Sequence, residues 1–209
     1  MKKIRNIVMM YHGIGDPGAA DGLPGAVDPV YTIDEAIFRN HLALICASAL
    51  PAVLPGEEPA DSPDGTPDPD RGDRLMITFD DGYASDYSIA LPLLVENGLR
   101  GMFFVTTGWT GSRGYMDEGM IRGLVEAGMA IGSHGETHRY MTDISDGELA
   151  RELADSKKRL EDITGASVGS LSAPGGRIDG RVAAAAVRAG YRWIFSSSPF
   201  INGPLAEGV

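Results

Sequence analysis

Two acidic residues and two histidines carry the clearest chemical signal in this sequence. Asp80 and Asp81 form the pair in a Thr-Phe-Asp-Asp-Gly run, and His134 and His138 bound a His-Gly-Glu-Thr-His run. A divalent ion needs two or three nitrogen or oxygen ligands on rigid supports and an open position for water, and one Asp with two His supplies that set. The other Asp is then free to take a proton from water. Together the four residues indicate metal-assisted hydrolysis.

Each of these motifs also has an ordinary structural interpretation. Paired acids before a glycine are common in turns, because Asp caps helices and tolerates tight backbone geometry. A His-x-x-x-His pair on a surface helix is more often solvated than a ligand set. Here, however, both motifs follow apolar runs, and three of the four histidines (His12, His134 and His138) fall just after predicted strands. This shared placement favours a functional site.

The elements that would position these residues follow a regular order. Short apolar runs alternate with amphipathic segments six times, which is the pattern of a parallel sheet with crossover helices. The fold class predicted from this pattern is α/β. The predicted strands are residues 4–11, 75–79, 101–106, 129–133, 168–173 and 192–196.

Helix boundaries are marked as well. Residues 32–35 (Thr-Ile-Asp-Glu) and 145–148 (Ser-Asp-Gly-Glu) match the capping box that opens a helix. Helical apolar spacing predicts one buried face near each of them, made of Phe38, Leu42 and Ile45 and of Leu149, Leu153, Leu160 and Ile163. Glycines stand where helices should end, at Gly98, Gly128, Gly165 and Gly190.

The strand ends predict where a site would lie. Parallel strands point the same way, so the residues just past their carboxyl ends gather on one face, where active sites of such folds are built. Every chemical candidate of the sequence falls there. These residues are His12, Asp80, Asp81, Thr106, Thr107, His134, Pro174, Gly175, Gly176 and residues 196–198.

Length and charge limit the classes of protein to consider. A chain of 209 residues with 43% hydrophobic residues predicts a single domain over residues 1–209 with a substantial core. Its 18 basic and 29 acidic side chains give a net charge of −11. Phosphate binding depends on cationic contacts, so this charge argues against a nucleic-acid partner and against an anionic membrane surface.

The acidic residues concentrate in one segment. Residues 55–74 contain seven acids, five prolines and three glycines with only two arginines. Such a composition buries too little apolar surface to offset its ordering entropy, which predicts a flexible surface insertion. A calcium-binding loop is the alternative, but the acids lack the alternating spacing of an EF-hand loop.

Cysteine content and the amino terminus bear on location. Cys46 is the only cysteine, which excludes an internal disulfide, and its apolar helical surroundings predict a small core residue. The apolar run at residues 7–11 is too short for a secretory signal, and no window approaches the length of a membrane span. A cytoplasmic location is therefore the default prediction.

The two motifs resemble those of a known family. The Thr-Phe-Asp-Asp-Gly run that contains Asp80 and Asp81, followed by Gly-Ser-His-x-x-x-His ending at His138, is similar to the first two motifs of the polysaccharide deacetylase family. This family is the NodB homology domain of carbohydrate esterase family four. The order, spacing and strand-end placement all match, and the resemblance covers residues 11–191.

The resemblance implies a distorted (β/α) barrel that removes acetyl groups from N-acetylated sugars. By this resemblance Asp81, His134 and His138 match the metal triad, Asp80 matches the general base, and the Gly175 N–H matches a donor to the oxyanion. Zinc is the metal expected for this ligand set, and cobalt, nickel or manganese could take its place.

The third motif departs from the family pattern. Ser172 stands where the family usually has an arginine that orients the catalytic Asp. Arg177 either reaches back toward Asp80 or is solvated near a helix start. The glycine pair at residues 175 and 176 could also suggest a phosphate-binding loop, although no P-loop or dinucleotide fingerprint accompanies it.

The resemblance also implies a further strand with a Leu-x-His motif, whose histidine protonates the leaving amine. The sequence reaches Val209 before such a segment, so we expect the last strand to be missing from this chain. An open apolar edge is rarely tolerated. The sequence is then incomplete, or it belongs to a variant that closes its edge by pairing with another subunit as a homo-oligomer.

The remaining histidines and the aromatic residues could have either a functional or a structural role. His12 is a candidate replacement acid, or it hydrogen-bonds and orients another residue. His41, among apolar helical residues, is predicted to be structural. Trp109, Tyr115 and Trp193 could stack on a sugar, but buried packing is the commoner role of such aromatic residues, above all for Trp193 within a strand.

The sequence thus predicts a metal-dependent hydrolase of amide bonds other than peptide bonds, with a carbohydrate substrate. Three alternatives stay open. One is a hydrolase of the same fold acting on a non-sugar amide or a formyl group. Another is a catalytically weak domain that binds metal and sugar but lacks the final acid motif. The third is a receiver-like domain that uses the acid pair for magnesium and phosphate, which the two histidines disfavour.

Overall fold

Six parallel strands form one sheet that curls into part of a barrel. The computed structural model describes residues 6–15, 29–57 and 73–197. The strands lie side by side in sequence order, each pairing in parallel with the next, which confirms the predicted α/β class. They are β1 (Asn6–Tyr11), β2 (Arg74–Phe79), β3 (Met102–Val105), β4 (Ala130–Ser133), β5 (Ser170–Ser172) and β6 (Trp193–Phe195).

Helices connect the strands as crossovers. They are α1 (Glu35–Ala47), α2 (Leu91–Glu96), α3 (Glu118–Glu126), α4 (Asp146–Thr164) and α5 (Gly180–Arg188). A π-helical turn, Asp86–Ala90, leads into α2. Short 3-10 turns occur at Pro29–Tyr31, Thr107–Trp109, Met141–Asp143 and Pro174–Gly176.

One of the two predicted capping boxes forms. The Ser145 side chain accepts a hydrogen bond from the Glu148 N–H, and the Glu148 side chain accepts one from the Ser145 N–H, which opens α4 as predicted. The box predicted at residues 32–35 is wrong. Asp34 caps α1 instead, since its Oδ1 accepts a hydrogen bond from the Ala36 N–H at 2.7 Å.

The core lies between the sheet and the apolar faces of the helices. Phe79 and Phe103 stack with ring centroids 4.5 Å apart, and Phe38 of α1 meets Tyr11 edge-on at 5.1 Å. Burial of each such side chain contributes about 1.5–3 kcal/mol to folding. All seven helical positions predicted to face the core, Phe38, Leu42, Ile45, Leu149, Leu153, Leu160 and Ile163, are buried.

Two predictions about packing need correction. Cys46 is exposed, because at about 100° per residue it lies beyond Leu42, at the edge of the buried stripe of α1 rather than within it. Trp193 is only half-buried. It is the first residue of β6, which among the described residues pairs only with β5 and therefore has an open side.

Trp193 borders a cavity of about 350 Å³ at the other end of the sheet from the predicted site. The first residues of four strands line it, Met102, Ala130, Ser170 and Trp193. Active sites of parallel α/β folds lie at the carboxyl ends of strands, so this cavity is not where the chemistry is expected. None of the described helices is long and apolar enough to cross a membrane.

The predicted insertion at residues 55–74 is described only at its ends. Glu57 forms an ion pair with Arg100 at 2.6 Å, and Arg74 is the first residue of β2. Residues 58–72 lie outside the described residues. The flexible insertion therefore stays a prediction. The single domain over residues 1–209 and the homo-oligomer also stay predictions.

Candidate metal centre and active site

The ladder of the sheet continues past the strands and holds the backbone of the site. The Asp80 N–H donates to the Tyr11 carbonyl at 2.9 Å, and the His134 N–H donates to the Val105 carbonyl at 3.0 Å. The Thr106 N–H donates to the carbonyl of Asp81 at 3.2 Å. Each bond lies just beyond a strand end. The predicted convergence on one rim is therefore a direct result of strand register.

Asp81, His134 and His138 bring their ligand atoms together. Asp81 Oδ1 lies 3.3 Å from His134 Nε2 and 3.1 Å from His138 Nε2. Ligands about 2.1 Å from a common ion in tetrahedral or octahedral geometry are separated by about 3.0–3.4 Å, so the spacing fits a divalent metal. Within the described part of the chain, these three residues form a group whose ligand atoms all lie within 4.8 Å of one another.

Hydrogen bonding selects the tautomer that a metal ligand needs. His134 Nδ1 lies 2.8 Å from the Ser172 carbonyl oxygen, which can only accept, so Nδ1 carries the proton and Nε2 presents a lone pair. Asp81 Oδ1 makes no hydrogen bond of normal geometry despite the two imidazoles beside it. This arrangement is expected for lone pairs that face a common cation.

Charges within the site oppose the effect of burial. Burial alone would lower the pKa of His134, but the carboxylates of Asp80 and Asp81 raise the pKa above its ordinary value. Burial would raise the pKa of Asp81, but the imidazoles of His134 and His138 hold it well below its ordinary value. The site therefore attracts positive charge.

Two of the three ligand residues have a backbone conformation that non-glycine residues rarely adopt. Asp81 has φ of 78° and His138 has φ of 60°. Left-handed backbone at a non-glycine residue costs about 1–3 kcal/mol and persists where the surrounding structure over-determines it. The neighbouring Gly82 is confined as well, because a Cβ there would lie 3.1 Å from Val105 Cγ1. Strain of this kind is typical of functional sites.

Asp80 is buried beside the metal ligands and is held by Ser172. The Ser172 hydroxyl donates to Asp80 Oδ2 at 2.9 Å, so the residue at the expected arginine position does contact the acid. The other oxygen, Oδ1, accepts no hydrogen bond from the described residues. Burial raises the pKa of Asp80, and the charges of His134 and His12 together with the Ser172 hydroxyl offset this only in part.

Arg177 does not reach Asp80. Its guanidinium lies over the ring of Tyr140, 4.1 Å from the ring centroid, and 3.7 Å from Asp143 Oδ2. Gly175, two residues earlier, has φ of 64°, and a Cβ there would lie 2.4 Å from Tyr140 Cε1. Tyr140 therefore requires a glycine at this position of the rim, where the predicted N–H donor stands.

The predicted rim histidine and the structural one have different surroundings. His12 is half-buried and faces the ring of Tyr31, with centroids 5.0 Å apart. It directly follows β1, and its charge acts to lower the pKa of Asp80. His41 lies 3.3 Å from the Tyr11 hydroxyl, inside the packing between α1 and the sheet, as predicted for a structural residue.

Aromatic rings form one wall of the metal centre. Trp109 packs against His138 and Tyr115, with ring centroids 4.8 and 4.9 Å away. Tyr115 stacks on Tyr83 at 5.1 Å, and both tyrosines are buried. Burial and the nearby Asp81 carboxylate raise the pKa of Tyr83. Among the candidates Trp109, Tyr115 and Trp193, Trp109 is half-buried and packs against His138.

Sequence reasoning missed two buried acids of the site. Glu152 of α4 is 6% exposed and accepts hydrogen bonds from the Glu136 and Thr137 N–H groups. Asp86 of the π-helical turn is 0% exposed. The available signal for Glu152 was its position three residues after Leu149, which places a charge on the predicted apolar face of α4.

Asp86 is buried without a strong partner. Neither of its oxygens makes a hydrogen bond of normal geometry with the described residues. Burial, followed by repulsion from Asp81 and Asp80, raises the pKa of Asp86 well above its ordinary value, and a backbone contact with Tyr83 offsets this only in part. Burial and the neighbouring acids therefore favour the protonated form of this carboxyl group more than for an exposed Asp.

Comparisons with known proteins agree with the resemblance seen in the sequence. The family model described as polysaccharide deacetylase matches residues 68–194, more than half of the chain. PgdA of Listeria monocytogenes, a peptidoglycan-N-acetylglucosamine deacetylase, is 26% identical over 162 residues, which cover 77% of this chain and 32% of PgdA. YxkH of Bacillus subtilis, named for the same family, is 28% identical over 125 residues, covering 60% of this chain and 45% of YxkH. The chain thus spans half or less of these curated relatives.

Solved structures share the fold. The Streptococcus pyogenes deacetylase PplD, in complex with acetate, superposes with a TM-score of 0.75 at 22% identity and covers 91% of this chain and 82% of its own. IcaB of Ammonifex degensii has a TM-score of 0.75 at 21% identity, with 99% and 94% covered. These matches confirm the predicted distorted barrel.

The burial of Asp86 predicts a pH-dependent stability. A carboxyl whose pKa is raised on folding must take up a proton, so its cost to stability grows as the pH rises above the ordinary Asp pKa of about 3.9. In metal-free protein Asp86→Asn should be more stable than wild type by about 1 kcal/mol or more near pH 8, with the difference shrinking toward pH 4. Urea unfolding measures it, with the exposed Asp155→Asn as control. A less stable Asp86→Asn near pH 8 would show that Asp86 is ionised and paired.

Proposed function

The chain belongs to the polysaccharide deacetylase family, and we propose that it is a metal-dependent hydrolase that removes N-acetyl groups from an amino-sugar polymer or oligosaccharide. The observation that carries this proposal is the convergence of Asp81, His134 and His138 beside a fourth, differently held acid, Asp80. Three ligands with one separate carboxylate is the set that metal-assisted hydrolysis requires.

Asp81, His134 and His138 would hold the divalent ion. Zinc suits one carboxylate and two imidazoles, and cobalt, nickel or manganese could occupy the same donors. A divalent ion held there supplies Lewis-acid polarisation of the acetyl carbonyl and lowers the pKa of water. The Ser172 carbonyl keeps His134 in the tautomer that presents Nε2.

Asp80 would take the proton from the attacking water. Its raised pKa brings it closer to the operating pH, which favours a general base. Ser172 binds Oδ2 and so fixes the carboxylate plane, which leaves Oδ1 as the oxygen available to water. In this chain a serine hydroxyl thus supplies the contact to Asp80 that the family resemblance assigns to an arginine.

The remaining steps need a donor to the oxyanion and a proton for the leaving amine. We assign the first to the Gly175 N–H, on the turn that follows β5. We assign the second to His12, which directly follows β1, the strand that pairs with β2 next to Asp80. Trp109, beside His138, offers an aromatic surface to a sugar ring.

The relatives support the substrate class. PgdA is named for N-acetylglucosamine in peptidoglycan, and this chain matches 32% of its length. We therefore propose a carbohydrate that carries N-acetyl groups as the substrate. The bond cleaved is a carbon–nitrogen amide bond outside a peptide.

The proposed metal site predicts the stoichiometry and the pH dependence of metal binding. Purified protein should bind about one divalent ion per chain, and His134→Ala or His138→Ala should abolish binding, whereas His41→Ala should not. Because the pKa of His134 is raised above the ordinary value of about 6.5, protons compete at a higher pH than for a free histidine, and affinity should fall as the pH drops. Elemental analysis across pH measures both effects. Full metal retention in the double mutant would contradict the assignment.

Asp80 makes the second prediction. Asp80→Asn should leave metal content nearly intact and lower deacetylation by about 10²-fold or more, the usual scale for loss of a general base. Ser172→Ala should lower the rate by about tenfold, because it removes a hydrogen bond to a charged group. Acetate release from N-acetylglucosamine oligomers measures the rate, with the exposed Ser112→Ala as control. Loss of metal in Asp80→Asn would instead make Asp80 a ligand.

The role of His12 as the acid can be tested by changing the leaving group of the substrate. An amine must be protonated as it leaves, whereas the phenolate of an activated aryl acetate needs no proton. His12→Ala should therefore lower N-acetyl hydrolysis by about 10²-fold and spare the aryl ester. An equal loss on both substrates would indicate that His12 orients Asp80. Amide hydrolysis that survives the substitution would show that another group is the donor.

A further inference from the structure

The segment that carries two of the three metal ligands lies beyond the support of the sheet. β4 ends at Ser133, and the ladder bond of His134 is the last that the sheet supplies to this segment. His138 follows four residues later with a left-handed φ of 60°, and its side chain is 30% exposed. Something other than β-pairing must therefore hold the second imidazole in place.

One buried carboxylate satisfies the donors of this segment. Glu152 Oε2 accepts from the Glu136 N–H at 2.7 Å and from the Thr137 N–H at 3.0 Å, and Oε1 accepts from the Thr137 hydroxyl. The preceding Gly135 N–H donates to the Ser133 hydroxyl at 3.0 Å. Three successive backbone N–H groups between the two histidines are thus all paired, two of them to the same side chain.

The opposite side of the segment is held by backbone groups. The Thr107 N–H donates to the Gly135 carbonyl at 3.1 Å, and the Gly108 N–H donates to the Glu136 carbonyl at 2.8 Å. A Cβ at Gly108 would lie only 2.5 Å from that oxygen, so the approach requires glycine. The segment is therefore clamped between a 3-10 turn and the carboxylate of Glu152.

Nothing else in the described part of the chain accounts for the charge of Glu152. It is 6% exposed, and no lysine, arginine or histidine among the described residues forms an ion pair with it. A buried carboxylate without a cation is costly unless hydrogen bonds replace its water. Here those bonds all come from the residues that lead to His138.

We propose that Glu152 is a positioning residue of the metal centre, which sets the affinity for the divalent ion by holding residues 135–137 and thereby His138. The inference rests on the proposed metal-dependent function and adds a residue that no ligand motif contains. Outer partners of metal ligands commonly change metal affinity by about 10–100-fold when they are replaced. Glu152 acts one step further out, through the backbone that carries the ligand.

The test measures cobalt binding rather than activity. Glu152→Leu suits the apolar face of α4 but accepts no hydrogen bond. It should bind Co²⁺ at least about tenfold more weakly than wild type in competition with a chelator, with an altered visible absorption spectrum. Glu152→Gln keeps an acceptor oxygen and should recover most of the affinity. Asp155→Ala, exposed on the same helix, is the matched control and should be unchanged.

The outcomes separate this inference from the proposed function. Absence of Co²⁺ binding by the wild-type chain would overturn the metal site and the role of Glu152 with it. Tight binding and an unchanged spectrum in Glu152→Leu would overturn the role of Glu152 alone. If circular dichroism shows that Glu152→Leu does not fold, the Co²⁺ affinity of Glu152→Asp is measured in its place. It keeps the charge but is one methylene shorter, so wild-type affinity in that variant would also overturn the inference.

Discussion

The register of the parallel sheet is the constraint on which the rest of the site depends. Backbone hydrogen bonds continue past the strands, from Asp80 to Tyr11, from Thr106 to Asp81 and from His134 to Val105. Each of them places a functional residue at a fixed height on the same rim. Asp80 and Asp81 become neighbours of His134, which is distant in sequence, because their strands end together. A shift of register in β2 or β4 would separate the ligands.

The site combines several buried acids with left-handed backbone. Asp80, Asp81 and Asp86 are all buried, and Asp81 and His138 have left-handed backbone. Repulsion between the carboxylates of Asp80 and Asp81 is balanced in part by His134, whose pKa they raise. A divalent cation at Asp81, His134 and His138 would balance it further. The free energy lost to burial of these carboxylates thus favours binding of a cation.

The adjacent acids Asp80 and Asp81 have different neighbours. Asp81 faces the two imidazole nitrogens, and its pKa is lowered, as suits a ligand. Asp80 faces the Ser172 hydroxyl in a buried environment that raises its pKa, as suits a base. A serine at the arginine position also leaves Asp80 without a neighbouring fixed cation of that kind, which keeps its pKa higher than an arginine contact would.

The amino-acid sequence by itself determined the six strands and the apolar helix faces and singled out Asp81, His134 and His138, because these depend on local periodicity and on residue chemistry. It predicted a cap at Thr32 where Asp34 caps α1, and it predicted that Cys46 would be buried, since caps and the edges of helix faces depend on contacts that local spacing does not specify. Only the tertiary structure decided that Ser172 contacts Asp80, 92 residues away, and that Glu152 holds the loop of His138. Such contacts join side chains of separate elements, and their geometry depends on packing between elements that no local pattern of residues encodes.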